Sequence, residues 1–66
     1  MFDLYAVKLW HPSQPSHFEM IEVRTDSATR AEHLARESFP GCEAQTTAVL
    51  VDGTWYDARL EETRAA

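Results

Sequence analysis

A single cysteine, Cys42, excludes an internal disulfide, and nothing in the composition calls for an oxidising compartment. No apolar run approaches the roughly 20 residues that a membrane-spanning helix needs. No basic stretch followed by an apolar run marks the start of the chain as a secretion signal. The expectation is a cytoplasmic chain without membrane contact. Positive charge is scarce as well: six Lys and Arg stand against eleven Asp and Glu, for a formal net charge of −5. That balance disfavours nucleic acid as a direct ligand and favours a basic protein surface as partner.

Catalytic signatures are missing too. There is no GxSxG, no P-loop and no dinucleotide fingerprint. Eleven carboxylates scattered along the chain carry no specificity for acid–base work. His11, His17 and His33 with Cys42 are donor types that zinc prefers, but their spacing matches no compact zinc pattern. Cys42 has no basic neighbour to lower its pKa and reads as a small packing residue. The expectation is a non-enzyme with no metal and no cofactor.

What is present organises itself around residues 25–41, the one segment with a helix's start, period and stop. Thr25, Asp26 and Ser27 are all competent N-caps, and Thr29 with Glu32 offers a capping box slightly later. Ala28, Ala31, Leu34, Ala35 and Phe39 recur at three- and four-residue steps and form the expected buried face. Asp26 with Arg30, Glu32 with Arg36, and His33 with Glu37 fall on the other face as solvated pairs. Phe39-Pro40-Gly41 ends the helix, because the residue before proline avoids helical angles and glycine accepts the left-handed turn.

The flanks read as strands. Residues 2–10 are aromatic and branched, and the breaker cluster His11-Pro12-Ser13-Gln14-Pro15-Ser16 connects them to a second strand at 17–24. Both strands are apolar on both faces, so alternation leaves their buried sides open. A third strand occupies 43–51. Asp52-Gly53 then predicts a type I′ hairpin into a fourth strand at 54–60, with Val51 opposite Thr54 and Leu50 opposite Trp55. That register places Val49, Val51, Tyr56, Ala58 and Leu60 on the core side, and Ala48, Leu50, Trp55, Asp57 and Arg59 on the other. The predicted fold is α+β: a single-domain ββαββ over 1–60, an antiparallel four-stranded sheet in the order 2-1-3-4 with one helix on one face, and a polar tail at 61–66. So short a chain buries only about 60% of its unfolded surface, which leaves stability marginal.

In size, acidity, compact ββαββ reading and lack of catalytic motifs, the chain resembles the small acidic accessory proteins of phages and mobile elements, anti-CRISPR proteins among them. The resemblance implies inhibition by binding: docking on a nucleic-acid-handling effector such as a CRISPR-type complex and blocking DNA access or a subunit contact, as a DNA mimic where carboxylates take the place of phosphates. The surplus charge and the uncovered sheet face nominate Glu19, Glu22, Asp57, Glu61 and Glu62 as charge contacts and Trp55 as an aromatic anchor. The alternative expectation is an interaction module or homodimer that uses the open sheet face, with acidity serving only solubility.

Overall fold

The first aromatic and branched segment forms β1, Asp3–Trp10, and two tight turns carry it back into β2, Phe18–Thr25. In those turns the Gln14 N–H donates to the His11 carbonyl at 2.9 Å and the His17 N–H to the Gln14 carbonyl at 3.0 Å. The helix α1 follows at Ala28–Ser38, then β3, Glu43–Val51, and β4, Thr54–Asp57. These elements come from a computed structural model that describes residues 2–58. The expected polar tail at 61–66 lies outside the described residues, as do Arg59 and Leu60.

The sheet is antiparallel in the order β2-β1-β3-β4, with α1 packed on one side, which is the ββαββ arrangement expected from the sequence. The β3–β4 hairpin has the predicted register, Val51 opposite Thr54 through Ala48 opposite Asp57. Asp52 and Gly53 supply the positive φ angles, 50° and 81°, that a type I′ turn requires at both central residues. β4 is shorter than the expected 54–60. The next rung would set Ala58 against Thr47, and there β3 carries an irregularity: Ala6 pairs with Ala48 but Val7 with Thr46, leaving Thr47 as an extra residue. The ladder stops at that bulge, and Ala58 is buried instead of paired.

The structure decides which sides of β1 and β2 are covered. Tyr5, Val7 and Leu9 face the helix and are almost fully buried, together with Ala44 and Val49 of β3 and Ala31 and Ala35 of α1. Each large apolar side chain among them contributes about 1.5–3 kcal/mol by leaving water. With two alanines at its contact, α1 lies close to the sheet. Ser27 is the N-cap: its backbone is extended (φ −157°, ψ 158°), and its Oγ accepts the Arg30 N–H at 3.1 Å. At the other end the Phe39 N–H returns to the Ala35 carbonyl at 3.0 Å. Pro40 and Gly41 (φ +88°) then make a turn closed by the Cys42 N–H on the Phe39 carbonyl at 3.1 Å.

Three expectations about side chains are corrected. Phe39 does not belong to the buried stripe; it sits at the cap, beyond the last helical turn, and is 42% exposed. Tyr56 is equally exposed, although it lies on the core side, because short β4 extends past the reach of the helix. Glu32 and Arg36 are not merely a solvated pair. Their carboxylate and guanidinium stand 4.0 Å apart, but Glu32 Oε2 accepts the Thr46 N–H at 2.8 Å and Arg36 donates to the Ala44 carbonyl at 3.2 Å. Thr46, nearly buried, adds a bond from its hydroxyl to the Ala28 carbonyl at 3.1 Å. The reason is topological: among the described residues β4 pairs only with Ala48–Val51, which leaves the first half of β3 without a strand on that side, and its backbone groups must find other partners.

Candidate interaction surface

One helix can cover only one side of a four-stranded sheet, so the side opposite α1 is the candidate working surface. The strand registers define it row by row. At one end Leu4 lies between Arg24 and Leu50, with Trp55 beyond on β4. The next row is Glu22, Ala6, Ala48 and Asp57, a floor of two alanines flanked by a carboxylate at each edge. Toward the other end stand Met20, Lys8 and Gln45, then Phe18, Trp10 and Glu43. Phe18, Met20 and Trp55 are 53%, 50% and 46% exposed, far more than large apolar side chains in a core. The Lys8 ammonium lies 4.6 Å from the centroid of the Phe18 ring and 5.6 Å from that of Trp10. That cation–π arrangement occupies the Trp10–Phe18 end of the face, and the Leu4–Leu50–Trp55 row lies at the other end, with Arg24 at its β2 edge.

The sequence-nominated residues divide. Trp55 and Asp57 stand two residues apart on β4 and share the open face. Glu22 shares that face but at the β2 edge, in register with Asp57 across β1 and β3, which puts the two about 14 Å apart at strand spacing. Glu19 does not join them. It is opposite Leu9, on the helix side of the sheet, because residues three apart on a strand point to opposite faces. Glu61 and Glu62 lie outside the described residues. The structure adds Leu4 to the face, beside the Leu50 that the hairpin register places there. The signal for Leu4 was Lys8: a lysine on the even-numbered side of β1 marks that side as the one in water, and hence Leu4, Ala6 and Trp10 with it.

The helix side has a concavity of its own. An open groove of about 610 Å³ lies between the β1–β2 turn and the end of α1, bordered by Leu9, His11, His17, Glu19, Phe39 and Cys42. His11 Nδ1 is engaged within its turn, 2.7 Å from the Ser13 hydroxyl and accepting the Ser13 N–H at 3.2 Å. Among the described residues, no group of three or more His, Cys, Asp and Glu side chains is arranged to hold a metal ion. His33 is remote from this groove on the outer face of α1, 2.9 Å from Glu37. No helix among the described residues is long and apolar enough to cross a membrane.

Fold and surface together define a small two-layer α+β domain in which, among the described residues, one sheet face of apolar side chains and mixed charge is left open. No family model, curated protein or solved structure matches the chain.

Proposed function

We propose that the protein is a non-catalytic binding module that docks through its open sheet face on a basic protein surface of the kind that handles nucleic acid, CRISPR-type effectors included, and blocks access to that surface. The observation that carries this reading is the half-face formed by Leu4, Leu50, Trp55 and Asp57. An exposed tryptophan in one row with two leucines is an anchor for a partner's apolar patch, and the exposed carboxylate of Glu22 on the same face is a place for an arginine or lysine. The alanine floor at Ala6 and Ala48 lets a partner side chain approach the backbone closely. The net charge of −5 steers the chain toward a cationic groove and away from nucleic acid itself. Inhibition follows by occupancy: a groove filled by this domain does not admit DNA or the next subunit.

The test is capture from a nuclease-treated bacterial lysate on the immobilised protein, across a salt series from about 0.1 to about 1 M, where screening shortens from about 10 Å to about 3 Å. The expected result is a nucleic-acid-binding protein that salt releases and added duplex DNA displaces. A captured protein that stays bound at the highest salt and ignores DNA would show that the partner is not recognised through a basic, nucleic-acid-binding surface.

A further inference from the structure

The two edges of the sheet are finished differently. On the β3–β4 side, β4 is four residues long, and α1 closes the exposed half of β3 by placing Glu32 on the Thr46 N–H and Arg36 on the Ala44 carbonyl. Those are devices that keep an edge from pairing with another chain. On the other side β2 is eight residues long, continuous in register with β1, and free of proline and of bulges. Its outer side faces no other strand among the described residues.

The direction of its backbone groups follows from the same contacts. Ala44 and Thr46 turn their bonding groups away from β1, so their partners Leu9 and Val7 turn theirs toward β2. Leu9 and Val7 are opposite Glu19 and Ile21. Alternation then leaves Phe18, Met20, Glu22 and Arg24 with outward N–H and C=O groups.

Glu22 and Arg24 are therefore neighbours on one face of an open edge, with opposite charges and with outward backbone groups. We propose that β2 is a self-association edge: two copies pair antiparallel about a two-fold axis at Val23, setting Glu22 of each opposite Arg24 of the other. In that register both charge pairs are also hydrogen-bonded backbone pairs, and Val23 meets Val23 on the core side next to Ile21. Glu19 falls beyond the paired segment. The neighbouring registers lack this match: an axis at Glu22 sets that carboxylate against itself, and an axis at Ile21 sets Glu22 against Met20. Opposite charges across a strand pair stabilise it and like charges oppose it, so the sequence of β2 selects one alignment.

The axis of an antiparallel edge pair is normal to the sheet. The dimer is an eight-stranded sheet with both helices on one side and both open faces on the other. Its two β4 strands are seven strand spacings apart, about 33 Å. This assembly stands independently of the docking reading, and it would present two Trp55–Asp57 surfaces in one direction.

The experiment is sedimentation velocity on the full chain from about 5 μM to about 1 mM, since an interface of this size belongs to the weak class. The expected result is a monomer–dimer equilibrium. Glu22→Arg and Arg24→Glu, both at exposed positions, each raise the dimer dissociation constant by about tenfold or more by setting like charges opposite each other twice. The double variant Glu22→Arg/Arg24→Glu returns it to within about threefold of the parent. Trp55→Glu leaves the equilibrium unchanged, so failure of the docking face and failure of this edge are read separately. A strict monomer throughout overturns the proposal, as does a dimer indifferent to either single reversal, or a double variant no better than the singles.

Discussion

Replacing Glu32 by alanine probes the edge closure that distinguishes the β3 side of the sheet. The Glu32 carboxylate is 26% exposed and accepts the Thr46 N–H at 2.8 Å, next to a bulge where no strand can take that donor. A hydrogen bond from a backbone N–H to a charged group contributes about 1.5–3 kcal/mol, and its loss leaves the partly buried donor without an acceptor. Loss of the Arg36 contact adds little, since the two charges are 4.0 Å apart and Arg36 is about half exposed. The expected cost is about 2 kcal/mol, which lowers Tm by about 8–16 °C in a domain of this size. Glu32→Gln keeps an acceptor oxygen and should lose about half as much. Glu37→Ala is the matched control: that carboxylate is 63% exposed, pairs only with His33 on the same helix, and its removal should cost less than about 0.5 kcal/mol. Thermal and urea unfolding followed by circular dichroism measure all three. Equal losses for Glu32→Ala and Glu37→Ala would show that the helix does not close the β3 edge.

Other predictions concern the core and the turns. Tyr5→Ala removes the largest fully buried side chain and should cost about 3–5 kcal/mol, most of the stability a chain this short possesses, so its urea transition should broaden or vanish at 37 °C. A cooperative transition within about 1 kcal/mol of the parent would mean that Tyr5 does not anchor the core. Gly41→Ala and Gly53→Ala meet no neighbouring atom within 4 Å, so any loss comes from the positive φ angles of 88° and 81° alone. About 1 kcal/mol each, or about 4–8 °C in Tm, is expected. Neutral substitutions would mean that neither turn needs the left-handed conformation.

Much of the fold is legible in the sequence because local chemistry and long-range pairing agree. Asp52-Gly53 sets the last hairpin to the residue, and Pro40-Gly41 ends the helix, whereas its start was legible only as one of Thr25, Asp26 and Ser27. The strand order follows from short connections. What alternation could not reveal is the side of β1 and β2 that is buried, since both faces carry apolar residues, and only Lys8 tips the balance. The bulge at Thr46 and Thr47 was invisible, because an extra residue in a strand of threonines changes no hydrophobic pattern. Its consequences, the early end of β4 and the recruitment of Glu32 and Arg36, were hidden with it. The candidate surface was half legible. Trp55 and Asp57 followed from the hairpin register, whereas Glu19 and Glu22 were nominated together by charge and are separated by the two-residue period of the strand.

The claim that the open sheet face is the working surface is tested most directly by parallel capture with three forms of the protein: the parent, Trp55→Glu on the open face, and Glu37→Lys on the outer face of α1. Both substitutions are at exposed positions, and circular dichroism verifies that the fold is kept. The expected result is that Trp55→Glu abolishes retention of the partner while Glu37→Lys retains it at the parental level. Retention by Trp55→Glu, or loss by Glu37→Lys alone, would place the docking surface on the helix side and contradict the account.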